Sequence, residues 1–185
     1  NKYDLSSLRM IRSAGSILPY HLASEIENKL KCRVINQYGG ADVGTISVTS
    51  LSDPREIRLA SVGRPYGGNE VKIIDDRGNE VPRGEAGRIC LRGPKTASGY
   101  YKDPDTTAVK WSRDGWFITG DQGKIDENGV LFIVGRADDV IIRGGQNIHP
   151  GEVENLLLSH PGIKEAAVVG VHDPLMGERA CACIV

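Results

Sequence analysis

The chain has 185 residues, 23 Lys and Arg against 24 Asp and Glu, a formal net charge of −1 and a hydrophobic share of 39%. That length holds one domain, or a domain plus part of another. The balanced charge gives no electrostatic basis for gripping a nucleic-acid backbone or an anionic membrane surface, and no apolar run is long enough to cross a bilayer.

Residues 1–12 mix polar and charged side chains, so no signal peptide is visible there. The chain begins with Asn1, and the missing initiator Met is read as the mark of a piece cut from a longer, cytoplasmic protein. Residues 8–13 read as a strand running into a turn at 14–16. Pro19 then starts a helix through Leu30, with Leu22, Ile26 and Leu30 on one face. Val34 and Ile35 form a short strand that enters Tyr38-Gly39-Gly40. From 61 to 134, short β-rich runs alternate with turns, at 70–74, 87–92, 123–126 and 130–134. Asn128-Gly129 between two apolar runs is a strong hairpin signal. This spacing predicts a small, mostly antiparallel sheet or distorted barrel, interrupted by a short helix over 103–111 with Pro104 in its first turn. Beyond Arg136 come a hairpin over 139–148, a helix over 150–159 with Leu156, Leu157 and Leu158 on its apolar face, and strands over 163–171 and 179–185. The class is α+β. Cysteines 32, 90, 181 and 183 match no zinc or disulfide framework and read as ordinary buried thiols.

Four segments carry chemical character. In Ser13-Ala14-Gly15-Ser16-Ile17-Leu18-Pro19, a strand ends in small residues before a helix, which leaves room for a ligand against bare backbone. The same residues also suit a plain strand-to-helix turn. In Asn36-Gln37-Tyr38-Gly39-Gly40-Ala41-Asp42, Tyr38 offers a stacking face, the glycines admit a phosphate, and Asp42 can hold a hard cation such as Mg²⁺. A glycine-rich loop with a solvated aspartate is the alternative. In Gly115-Trp116-Phe117-Ile118-Thr119-Gly120-Asp121, a carboxylate at the end of an apolar strand can accept both hydroxyls of a ribose, or can simply cap a turn. The fourth segment, 135–154, holds Arg136, Asp138-Asp139, Gly144-Gly145 and a helix start at Pro150. So much turn chemistry marks a hairpin or a hinge. Arg136 is a fork of donors suited to phosphate or ribose oxygens.

Taken in order, these segments resemble the adenylate-forming superfamily, which includes acyl-CoA synthetases, luciferases and peptide-synthetase adenylation domains. Residues 115–121 resemble its Tyr-x-Thr-Gly-Asp motif, 135–154 its domain junction, and Ser61-Val62-Gly63-Arg64-Pro65 and Gly99-Tyr100-Tyr101 further family positions. The family's Tyr-Gly-x-Thr-Glu motif is met with two departures: Ala41 removes a hydroxyl and Asp42 shortens the reach of the charge. The resemblance implies a β-rich distorted-barrel subdomain closing a large domain over residues 1–137, then an incomplete α+β lid over 138–185. It implies nucleotide contacts at Gly15, Ser16, Tyr38, Gly39, Asp121, Ile133 and Arg136. It also implies an acyl pocket at Gly39, Gly40 and Ala41, metal at Asp42, a hinge at Asp138 and a CoA channel at Gly144 and Gly145.

Such a protein activates a carboxylic acid with ATP and Mg²⁺ as an acyl-adenylate, then passes the acyl group to a thiol, usually CoA. The hinge region, 142–148, looks most like members that activate acyl or aryl acids. The phosphate loop and the C-terminal catalytic lysine have no counterpart, and Lys124 and Lys164 lack the matching context, so the expected fragment of an acid–CoA ligase is inactive alone. Two alternatives stand beside it. One is an adenylation domain that loads a carrier protein. The other is a non-catalytic binding or scaffold module in which Ala41 and Asp42 mark a decayed site. Small residues at 14, 15, 40 and 41 leave space for an aromatic, alicyclic or fatty acid.

Overall fold

The computed structural model describes residues 3–185. They form two compact units: the first runs through Thr119 and includes Gly123–Ile133, and the second comprises Gly120–Gln122 and Val134–Val185. The chain is α+β and rich in strands. Among the described residues, no helix is long and apolar enough to cross a membrane.

The first unit opens with β1 (Met10–Ser13), α1 (Tyr20–Leu30) and β2 (Arg33–Gly40). β1 and β2 pair in parallel from Met10↔Arg33 to Ser13↔Asn36. Parallel neighbours need a crossover, and α1 supplies it. Lys31 ends the helix in the left-handed region at φ 53°, its N–H reaching back to the Glu27 carbonyl. The buried stripe of α1 runs through Ala23 and Ile26 against Val34 and Leu59 of the neighbouring strand and helix. Leu22, expected on that face, is exposed. An acidic residue, Glu27, fills the inward position instead and meets Arg55 and Arg58, so the apolar spacing caught only the edge of the stripe.

Three further elements are absent from the sequence reading: β3 (Gly44–Val48), α2 (Arg55–Ala60) and β4 (Arg64–Pro65). They complete a sheet ordered β1-β2-β3-β4. Asn36 on β2 ends α2 by donating from Nδ2 to the carbonyls of Arg58, Leu59 and Ser61 at 3.3, 3.3 and 3.2 Å.

A second sheet is ordered β5 (Glu70–Ile74), β6 (Gly87–Arg92), β7 (Phe117–Ile125) and β8 (Leu131–Arg136). α3 (Pro104–Lys110) lies between β6 and β7, and the Asp103 side chain caps it by accepting the Thr106 N–H at 3.0 Å. The expected Asn128-Gly129 turn joins β7 to β8; Asp126 Oδ1 accepts the N–H groups of Asn128 and Val130. The core gathers Ile73, Ile89, Leu91, Phe117 and Leu131 from this sheet with Val43 and Ile46 from the β2–β3 hairpin.

In the second unit a short 3-10 turn, Ala137–Asp139, follows β8. Then come β9 (Ile141–Arg143), β10 (Gln146–Ile148), α4 (Pro150–Leu157), β11 (Ala166–Asp173) and β12 (Gly177–Ile184), in sheet order β10-β9-β12-β11. Pro150 takes the first helical position, where its missing N–H costs no hydrogen bond. Glu154 reaches from α4 to the Val168 N–H of β11 at 2.8 Å. Two expectations fail here. Leu156 is 73% exposed, so the leucine run is no broad buried face. Cys181 and Cys183 are exposed, whereas Cys32 and Cys90 are buried. Period-two alternation puts 181 and 183 on one face of β12, as expected, but residues 179–184 are exposed on both faces. Burial pushes the Cys90 thiol up to about 11, which keeps it protonated and inert.

Candidate nucleotide site

Within the first unit the parallel pair β1/β2 does the positioning. Ser13 and Asn36 are the last parallel pair, so Gly15-Ser16 leaves β1 at its carboxyl end while Gln37-Tyr38-Gly39 continue β2 past that pair. Ligands of parallel sheets bind in that place. Gly15 turns the chain at φ 87°, and Ser16 is exposed.

Tyr38, Gly39 and Gly40 are strand residues, not the glycine-rich loop that stood as the alternative; β2 pairs with β3 through Gly40↔Gly44, with a bulge between Tyr38 and Gly39. Tyr38 packs its ring partly into the core. Gly39 has to be bare, because a Cβ there would lie 2.0 Å from the Gly44 carbonyl oxygen. Gly40 faces open space and Ala41 is exposed.

Asp42 stands half-buried at the hairpin tip, its carbonyl accepting the Ala97 N–H at 2.8 Å. Tyr100 is its side-chain neighbour. Burial first, then the charge and hydrogen bond of Asp42, push the Tyr100 phenol above its ordinary value. Thr107 holds the Tyr100 backbone through Oγ1 at 2.9 Å, and Trp111 meets the Tyr100 ring edge-on at 5.0 Å. In the sequence Tyr100 stands out only as a family position; an aromatic between Gly99 and a helix cap carries no signal that it will reach Asp42.

Among the described residues, no group of three or more His, Cys, Asp or Glu could hold a metal. The half-buried Asp42 carboxylate is of the donor type that Mg²⁺ takes, one or two carboxylates with substrate phosphates and water completing the shell.

The second unit brings Asp121 and Arg136 together. Arg136 Nη1 donates to Asp121 Oδ1 at 2.8 Å. Asp121 lies inside the nine-residue strand β7, neither at a strand end nor in a turn, so the turn-cap reading is excluded. Gly120 leaves room beside the pair: a Cβ there would sit 2.8 Å from Arg136 Nη2, the movable end of an exposed side chain. The guanidinium therefore lies across bare backbone, its fork beside the carboxylate. The Arg136 side chain is 60% exposed and that of Asp121 20%, so the pair presents donors and acceptors to solvent. Ile133, three residues before Arg136 on β8, packs against the core of the first unit.

Asp138 is exposed in the Ala137–Asp139 turn. Gly144 and Gly145 form the β9–β10 turn, at φ 58° and 83°, which suits a two-residue hairpin.

The sequence profile of the AMP-binding enzyme family matches residues 1–101, and that of the AMP-binding enzyme C-terminal domain matches 152–185. The chain belongs to the AMP-binding enzyme family of adenylate-forming proteins. Pyochelin synthase PchD of Pseudomonas aeruginosa is 43% identical over 183 residues, covering 98% of this chain and 33% of that protein. The medium-chain fatty-acid–CoA ligase of Escherichia coli is 37% identical over 182 residues, covering 98% of this chain and 32% of the ligase. The structure of the amide bond synthetase McbA from Marinactinospora thermotolerans superposes with a TM-score of 0.91 at 38% identity, over 99% of this chain and 37% of McbA. The chain thus spans about a third of the length of its relatives. The three names describe a synthase, a CoA ligase and an amide synthetase, so membership of the family leaves the acyl acceptor open.

Proposed function

We propose that this chain is the C-terminal part of an ATP-dependent acid–CoA ligase. The intact enzyme joins a carboxylate oxygen to the α-phosphorus of ATP and expels pyrophosphate. The CoA sulfur then attacks the acyl carbon, and AMP leaves. The observation that carries this reading is the Asp121–Arg136 pair across Gly120. Asp121 accepts the ribose hydroxyls, and Arg136 holds the carboxylate in place and offers its remaining N–H groups to ribose or phosphate oxygens. Gly15, Ser16, Tyr38, Gly39 and Ile133 border the nucleotide; Gly39, Gly40 and Ala41 border the acyl group. Asp42 would hold Mg²⁺ against the phosphates, and the bound ion would offset charge on them. The Tyr100 phenol keeps the Asp42 carboxylate in place.

In this reading, 1–137 close the large domain, 138–185 begin the lid, Asp138 is the pivot, and Gly144-Gly145 line the path of the thiol. The substrate is an aromatic, alicyclic or fatty acid and the compartment the cytoplasm. One observation favours a second acceptor class: pyochelin synthase PchD and the amide synthetase McbA match this chain as well as the CoA ligase does. Incubating the intact enzyme with ATP, a panel of acids, and either free CoA or a pantetheinylated carrier protein separates the two. Acyl-CoA formation is the expected result; acylation of the carrier alone would overturn the CoA reading. An intact protein that binds neither ATP nor Mg²⁺ would instead support a scaffold.

A further inference from the structure

The Gly144-Gly145 turn is tied to the start of β12, and one side chain does much of the tying. The β9–β12 ladder holds a single residue pair, Gly177↔Arg143. Beyond it, the Ile142 N–H finds a side chain instead of a strand carbonyl: Glu178 Oε2 accepts it at 2.6 Å. A charged acceptor makes this the stronger kind of hydrogen bond. Room for the carboxylate comes from β11, where a Cβ on Gly170 would lie 2.7 Å from Glu178 Oε1.

The turn itself is held from the same side. The Gly144 N–H donates to the Met176 carbonyl at 2.8 Å. A Cβ on Gly144 would meet Met176 Cε at 2.5 Å, and φ at Gly144 is already in the left-handed region. Met176 is delivered by Asp173, whose Oδ1 accepts the N–H groups of Leu175 and Met176, each at 3.0 Å, while Oδ2 pairs with Arg179 at 2.8 Å.

We infer that Glu178 is a positioning residue for the acyl-acceptor step: it fixes β9, and through it the glycine turn, in the conformation that receives the pantetheine thiol. It acts on the thiol only through the backbone. The inference rests on the reading of Gly144-Gly145 as the path of the thiol. If it holds, losing Glu178 slackens the turn without touching Asp121 or Arg136.

Three variants of the intact enzyme test it: Glu178→Ala, Glu178→Gln and Gly144→Ala. The readouts are acid-dependent ATP–pyrophosphate exchange, kcat and KM for CoA, and deuterium uptake of the peptide containing Ile142. Glu178→Ala is expected to raise KM for CoA about tenfold, the scale of one hydrogen bond to a charged group. Exchange should stay near wild type and the Ile142 peptide should take up deuterium faster. Glu178→Gln keeps an acceptor oxygen and should recover most of the loss. An unchanged KM for CoA and unchanged uptake in Glu178→Ala would overturn the inference, as would an equal fall in exchange. If Gly144→Ala also leaves KM for CoA unchanged, the reading of the turn fails; if it raises KM while Glu178→Ala does not, only the role of Glu178 fails.

Discussion

Glu27 faces inward on α1 because three donors converge on it. Arg58 reaches Oε1, the Val34 N–H donates to the same oxygen at 2.8 Å, and Arg55 Nε donates to Oε2 at 3.0 Å. Burial is the largest single influence on its carboxyl and pushes it up. The hydrogen bonds from Arg58, Val34 and Arg55 together outweigh burial and hold it below its ordinary 4.5. A depressed folded-state value means that the stabilisation is complete above about 4.5 and is lost as pH falls through the lower folded value. Glu27→Gln should destabilise by about 3–5 kcal/mol, since it leaves the buried Arg58 charge without its counter-charge. Urea unfolding at pH 7 and at pH 4 checks both statements: the loss should be large at pH 7 and smaller at pH 4. A charge in a buried stripe also explains why the apolar pattern of α1 was read slightly off register. Asp121 is a different case. Its residue type and its distance from Arg136 were visible in the sequence, but its place inside β7 was not, because Thr119-Gly120-Asp121 has the composition of a turn. The Arg136 guanidinium lies close over Gly120, a contact between β7 and β8 that the composition does not signal.

At the scale of elements, the helices α1, α3 and α4 and the strands β5, β6 and β8 were legible from caps, periodicity and the Asn128-Gly129 turn. β3, β4 and α2 were not. Glycine is a poor strand former, and β2 runs through Gly39 and Gly40 into β3 across a bulge, so both glycines looked like a loop. α2 has six residues, two of them buried and one of those an arginine, which is too short for a period to emerge. Gly39→Ala should disrupt this hairpin, because its Cβ would meet backbone rather than a movable side chain. A loss of folded protein, or a fall in thermal midpoint of several degrees, would show it. The Ala137–Asp139 turn between β8 and β9 carries the proposed pivot. Asp138→Pro in the intact enzyme should leave pyrophosphate exchange largely intact and slow thioester formation, because it restrains the swing alone. Measuring the two half-reactions separately decides this; an equal loss of both counts against the pivot.

At the scale of the whole molecule, the chain carries the Asp121–Arg136 pair and a glycine turn yet covers about a third of its relatives. Assayed alone with ATP, Mg²⁺ and a panel of carboxylic acids, it should give no pyrophosphate exchange above background. The family was legible because its motifs are short, ordered and chemically constrained. The supports behind them, Tyr100 beside Asp42 and Glu178 on the Ile142 N–H, were not, since contacts across 58 and 36 residues leave no local pattern. The central claim is that Asp121, held by Arg136, grips the ribose of ATP. Its most direct test is acid-dependent ATP–pyrophosphate exchange by the intact enzyme carrying Asp121→Ala. Two hydrogen bonds to a charged group, each worth about 1.5–3 kcal/mol, predict a fall of about 100-fold or more in kcat/KM for ATP. Exchange at the wild-type level in a folded Asp121→Ala enzyme would contradict it.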